Sequence, residues 1–415
     1  VKSGFFCVIL WKEKNMDLPS RHIPKNSNAF SSYWNTEKPN YLAHHLSPQI
    51  KLEAAQQMVP YYYEADAIGD AVALEFLIKK GFQQGMKELH QMLATYPLNK
   101  ETYSSETQLF LEQIFSLPEW LDTDLLQKGS NFCNRTGTSG LATLRNYCLM
   151  GGYESSAINK PLIFTGALKK GAVKRLSDTV VFWINVTAQD GMKIKEKGFF
   201  SAVTTRLIHS YSRIMIERQP DWKTQDWGRP LNTWDMLATN LGFSIVFLDG
   251  LQKLGLKPTK EEIAGVLHLW KYIGYLIGIP EHLLADTETQ AADALFLWSK
   301  TQKGADEDSI SLAYSLYEEP QRVTFTKSQY LKNFVQYTNL GYNNFLLGKE
   351  SCKKLGLPYT KAIRWVKFIT MMNSLQQKAA SMHPMLYRYM IRKGNKEQLN
   401  VLKLYKKQEY PQKTF

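Results

Sequence analysis

Residues 174–183 read KRLSDTVVFW, and residues 198–216 read GFFSAVTTRLIHSYSRIMI. Positions i, i+3, i+4 and i+7 share one face of an α-helix. By that rule Arg175, Asp178, Thr179 and Phe182 lie on one face of a first helix. Ala202, Arg206, His209, Arg213 and Ile216 form one stripe of a second. The spacing therefore predicts two consecutive helices, over 161–186 and 198–217, with a polar loop around Gly191 between them.

The same period recurs in both directions along the chain. Ile68, Ala71, Leu74 and Leu77 repeat at threes and fours over 65–80. Asp66 and Asp70 stand four apart there, either as acids near a positive helix end or as part of a packing or pocket face. Further helices are expected at 86–96, 106–115, 117–128 (with Pro118 at its start), 141–150, 328–347, 360–380 and 384–405. Glycines around 131–154 allow close approach, of either a neighbouring helix or a flat ligand. Asn232 reads as an N-cap, and Thr259 with Glu262 as a capping box. There is no run of alternating strands and no 20–50-residue repeat. The expected fold is all-α: one large helical domain over 49–407, an irregular segment over 1–48 and a tail over 408–415.

Composition agrees with a buried core. Of 415 residues, 44% are hydrophobic and 21% charged. The net charge of +13 is concentrated at one end. Residues 351–415 hold fourteen Lys and Arg against Glu397 and Glu409, a net of +12, so the first 350 residues carry about +1. Such a region suits weak contact with an anionic membrane surface, or it is a solvated helix face. No nucleic-acid module is recognisable. The four cysteines show neither C-x-x-C nor zinc spacing. Without C-x-x-C-H, covalent c-type haem is excluded. The apolar run 4–11, GFFCVILW, is too short to span a bilayer and has no small-residue cleavage site, so a cytoplasmic location is expected.

P-loop, dinucleotide-binding, nucleophile-elbow and H-E-x-x-H motifs are absent. Any active site is thus assembled by helix packing. His44 and His45 read as surface residues and His268 as a packing residue. His209 is different: it lies between two arginines on one helix face. That pattern suits a ligand to a metal that also carries carboxylates, and haem b with its two propionates fits it. Arg206 and Arg213 then pair with propionates, or instead cap a helix end or form a salt bridge.

RLSDT at 175–179 and RLIHSYSR at 206–213 resemble the R-x-x-x-T and R-L-x-H-x-x-x-R signatures of the superfamily joining latex-clearing proteins (rubber oxygenases) to MpaB-type oxygenases. DWGRPLNTWDMLATNLGFS, GLQKLGLKPTKEEIAGVLHLWKYIGYLIGIP and FLLGKESCKKLGLP follow in the family's order. The resemblance covers roughly 131–407 and is to an MpaB-like member rather than a true rubber oxygenase. It implies a globin-like helical core around non-covalent haem b, with extra N- and C-terminal helices. His209 would be the proximal iron ligand. Arg175 and Thr179 would line the pocket from the neighbouring helix, and Asp178 or Arg175 would polarise dioxygen. The implied activity is that of an oxidoreductase, a haem-dependent oxygenase of an apolar, isoprenoid small molecule. Two positions depart from the rubber oxygenases. Asp178 stands where they have a lysine, and their catalytic glutamate falls on Asn159, with Glu154 and Asp178 the nearest acids. These departures keep open an alternative, a non-catalytic helical protein that binds haem or a lipid.

Overall fold

Helix formation follows the caps and periods in the sequence. The computed structural model describes residues 29–34, 40–98, 100–166 and 171–408, and among these every regular element is helical. The first half contains α1 (Ala67–Ala73), α2 (Phe82–Thr95), α3 (Ser105–Phe115), α4 (Thr123–Arg135), α5 (Gly137–Thr143) and α6 (Ser156–Phe164). The organising pair is α7 (Ala172–Val186) and α8 (Lys197–Glu217). Then come α9 (Thr233–Phe243), α10 (Ile245–Lys253), α11 (Lys260–Ile277), α12 (Glu288–Lys300) and α13 (Glu307–Tyr317). The chain ends in three long helices, α14 (Gln329–Lys354), α15 (Ile363–Met382) and α16 (Pro384–Lys406). Short helical turns link them.

Capping chemistry sets several boundaries. Asn232 Oδ1 accepts the Asp235 amide at 2.9 Å and starts α9. Thr259 and Glu262 close the reciprocal capping box that starts α11. Two expected starts differ. Pro118 lies in a turn, and α4 begins only after Asp122, whose carboxylate accepts the Asp124 and Leu125 amides. Pro161 lies inside α6, not at a helix start; α6 ends at Phe164, before Gly166 (φ 79°), and α7 starts after Gly171 (φ 72°). A left-handed residue cannot continue a right-handed helix, so the single helix expected over 161–186 is two.

α11 is the central strut. Its residues are buried nearly all round, including Val266, Leu269, Trp270, Ile273 and Leu276, as expected of a helix apolar on every side. It crosses α4 with backbones in contact. A Cβ on Gly129 would stand 2.1 Å from the Gly265 carbonyl oxygen, so glycine is required at that crossing. Trp183 of α7, Phe243 of α9 and Trp270 of α11 stack in one cluster, with Phe243 and Trp270 centroids 4.7 Å apart. Burying Trp183 and Trp270 contributes about 1.5–3 kcal/mol each. The clustered rings tie the organising pair to the core.

The N-terminal segment is partly structural. Ala29, Phe30, Tyr33 and Trp34 are buried in the core, and Trp34 Nε1 donates to Ser299 Oγ at 2.9 Å. Residues 1–28, 35–39, 99, 167–170 and 409–415 lie outside the described residues.

Candidate functional site

The site is built where α8 packs against α1, α7 and α11, with the start of α9 beside His209. α8 is anchored by two acid–base clamps. Arg206 donates from Nε to Asp66 Oδ2 at 2.6 Å and from NH2 to Asp66 Oδ1 at 2.8 Å. Arg213 pairs through NH1 with Asp70 and donates to the carbonyls of Pro230 at 3.2 Å and Leu231 at 3.0 Å. Burial pushes the Asp70 carboxyl up, against the opposing pull of Arg213 and Arg229. Asp66 and Asp70 stand four apart on α1, and Asp66 also caps that helix by accepting the Gly69 amide at 3.0 Å. Both readings of this acid pair are therefore realised, the cap by Asp66 and the packing role by both.

His209 lies between the clamps. Arg206, Leu207, Ser210 and Arg213 beside it are buried, but His209 itself is only half-buried. Its Nδ1 is buried without a hydrogen-bond partner. Burial, reinforced by the charge of Arg213 and opposed by Asp66, pushes its pKa down to about 4. The ring is therefore neutral at physiological pH, the form that ligates metals. A cavity of about 10 Å³, lined by Asp66, His209, Arg213, Thr233 and Met236 among others, lies beside the ring. It is roughly one water in size.

Packing is also incomplete nearby. Thr179 and Phe182 of α7, and Met236 and the terminal Phe243 of α9, are half-buried. A Cβ on Gly242 would meet no atom within 4 Å, so open space borders α9 there.

α7 supplies a further cation. Arg175 NH2 donates to the Tyr153 hydroxyl, and its guanidinium lies 5.4 Å from the centre of that ring. Nε and NH1 are buried with no partner, and burial pulls the pKa down to about 10. Thr179 turns its hydroxyl back onto the Arg175 carbonyl at 2.9 Å. Asp178 points elsewhere: its side chain is 60% exposed and pairs with Lys174. It lines an open groove of about 370 Å³ with His90, Phe182, Asn185, Phe200 and Thr204, not the cavity at His209.

The positions near the missing glutamate are structural. Asn159 is buried and donates to the Tyr153 carbonyl at 3.2 Å and to Ser309 Oγ at 3.1 Å. Glu154 is buried and accepts from the Phe30 amide at 3.1 Å and from Lys354 at 3.4 Å. His268 accepts the Asp122 amide at 2.9 Å and packs edge-on against Trp120, the packing role expected of it. The glycines of 131–154 serve packing at Gly151, where a Cβ would crowd Tyr33 and Leu347. Among the described residues no group of three or more His, Cys, Asp or Glu is placed to hold a metal ion. None of their helices is long and apolar enough to cross a membrane.

Residues 138–376, more than half the chain, match the family described as ER-bound oxygenase mpaB/B'/rubber oxygenase, catalytic domain. The chain belongs to this family. A rubber oxygenase of Streptomyces sp. (strain K30) is 22% identical over 182 residues, 43% of this chain and 44% of that protein, so the match spans less than half of that relative. The closed-state structure of latex clearing protein LCP superposes with a TM-score of 0.60 at 16% identity, over 81% of this chain and 91% of that one. At that identity the likeness is one of fold. Both signature segments of this rubber-oxygenase/MpaB member, 175–179 and 206–213, fall within the matched region.

Sequence reasoning singled out His209, Arg206, Arg213, Arg175, Asp178 and Thr179. The fold packs their two helices together, but no described contact joins His209 to Arg175 or Thr179. Tyr153, the partner of Arg175, was not foreseen. Nothing in its GGYE setting distinguishes it from an ordinary core tyrosine.

Proposed function

We propose that this chain is a haem b-dependent oxygenase of an apolar, isoprenoid small molecule, with His209 as the iron ligand. One observation carries the reading: the neutral, half-buried His209 keeps a buried ring nitrogen with no partner, on a helix clamped at both sides. Leaving such a group unpaired costs about 1–3 kcal/mol, so the fold retains it against its own stability. The half-buried faces of α7 and α9 and the unpartnered His209 nitrogen support a ring-nitrogen ligand to haem iron at this position.

When bound, haem would supply the activation of dioxygen for oxidative cleavage of a carbon–carbon double bond. The protein's own residues supply position and polarity. Asp66 and Asp70, through Arg206 and Arg213, fix the height and rotation of α8 and hence the His209 ring. Arg213 has all its nitrogens engaged, whereas Arg206 keeps NH1 without a partner. Of the two, Arg206 is the one that would be free to hold a propionate. Arg175 holds two unpartnered donors in a dry setting, where a hydrogen bond to an oxygen-bearing group is strongest. Thr179 shapes the wall beside it. Asp178 lies at the rim of the neighbouring groove, where it meets substrate or solvent.

No carboxylate replaces the rubber-oxygenase glutamate at Asn159. An amide cannot take a proton from an allylic carbon, and Glu154 is committed to Phe30 and Lys354. The proposed substrate is therefore a small prenylated molecule rather than polyisoprene.

Absorption spectroscopy tests the cofactor. The protein as purified, or after reconstitution with haemin, should show a Soret band that His209→Ala removes while the helical circular-dichroism signal persists. A chain that takes up no haemin overturns the proposal. Haem uptake without oxidation of any prenylated aromatic or terpenoid supports the non-catalytic haem-binding alternative.

A further inference from the structure

α15 is amphipathic in the wrong direction. Its inward face is largely polar: Asn373 Nδ2 donates to the Leu254 carbonyl at 2.9 Å, Ser374 Oγ approaches the Gly255 carbonyl at 3.4 Å, and Gln377 takes a hydrogen bond from Arg135. Only Val366 and Ala380 bring fully buried apolar groups inward. The outward face is apolar. Phe368, Met371, Leu375 and Met382 are 47%, 51%, 54% and 82% exposed. At 100° per residue these four fall within about 60° of arc. Trp365, 46% exposed, borders one edge of the stripe, and Met385, 72% exposed at the start of α16, extends its end.

A water-facing helix normally reverses this arrangement, and an exposed apolar stripe marks a surface that something covers. The charge around it indicates what. Lys367 and Lys378 border the other edge of the stripe, and Arg364 lies at its start. α15 contains no acidic residue. On α16 Arg388, Arg392, Lys393 and Lys396 are exposed, and Glu397 is the single acid of that helix. A second copy docking through the same face would oppose like charges, which is costly. A surface that is anionic outside and apolar beneath matches both features at once.

We propose that the α15–α16 hairpin rests on an anionic lipid bilayer, its apolar stripe in the headgroup–acyl boundary and its lysines and arginines against lipid phosphates and carboxylates. It lies on the membrane and does not cross it. The inference is independent of the cofactor. If His209 holds haem, the bilayer is also a reservoir of the apolar substrate class proposed above.

Vesicle co-sedimentation tests it, using full-length protein, phosphatidylcholine vesicles, and the same vesicles with about one-third phosphatidylserine. Binding is expected only to the anionic vesicles, and it should fall as salt rises. Phe368→Glu with Leu375→Glu should abolish it. Arg364→Gln with Lys367→Gln should weaken it by at least about tenfold and, being changes at exposed positions, keep the proposal testable if the first pair misfolds. Brominated lipids should quench wild-type fluorescence more than that of Trp365→Phe. The proposal is overturned by absent binding to anionic vesicles, by binding indifferent to the Phe368 and Leu375 changes in folded protein, or by a dimer in light scattering that those changes dissociate.

Discussion

Asp66 grips Arg206 through both carboxylate oxygens, at 2.6 and 2.8 Å, and the side chains are only 10% and 2% exposed. A pair so placed contributes little net stability when whole, but leaves an uncompensated buried charge when broken. Asp66→Asn should therefore destabilise the fold by about 3–5 kcal/mol in urea unfolding. The double replacement Asp66→Leu with Arg206→Met should cost clearly less than the sum of the singles. Additive losses would show that the pair is not a coupled unit.

Two glycines separate space from conformation. Gly278 has φ 93°, and a Cβ there would stand 2.6 Å from Asp66 Oδ2 and 2.7 Å from Arg206 Nε. Gly278→Ala meets both the left-handed backbone and the ion pair, and should lower stability by about 1–3 kcal/mol. Gly242 lies within α9 with open space around it. Gly242→Ala should be neutral or stabilising by up to about 1 kcal/mol. Thermal melts of the two variants distinguish the cases.

Arg175 is held at a cost. Two of its nitrogens are buried without partners. Arg175→Met retains the length of the side chain and removes the unmet donors, so stability should rise by about 1 kcal/mol. If the guanidinium serves the proposed site, oxygenase turnover should fall even as the melting temperature climbs. A variant that loses stability would place Arg175 among the structural cations.

Acid sensitivity has a defined source at α6. Lys160 bridges Asp306 at 2.7 Å and pairs with Asp308 nearby. Although burial opposes it, the hydrogen bond from Lys160 brings Asp306 below the ordinary carboxylate range. Its contribution to stability is thus present above the unfolded pKa of about 3.9 and is lost as pH falls through the lower folded value. Lys160→Met should lower stability near neutrality and flatten its decline below about pH 4, measured as urea midpoint against pH.

Local signals in the chain were reliable where a few neighbouring residues decide the outcome. The cap at Asn232, the box at Thr259 and Glu262, the stripe through Arg206, His209 and Arg213, and the helical class all follow from short-range spacing. The break between α6 and α7 did not, because Pro161 is tolerated inside α6 and the helix ends three residues later at Phe164, just before Gly166 with φ 79°. Which faces meet is a property of the whole fold. Asp66 and Arg206 are 140 positions apart, and no periodicity states that helix α1 lies against α8. The chain by itself determined that His209 would stand between two arginines on one helix face. Only tertiary packing decided that aspartates would hold those arginines, that Asp178 would turn to solvent, and that α15 would present its apolar side outward. Each of these outcomes depends on desolvation and on partners brought from distant segments.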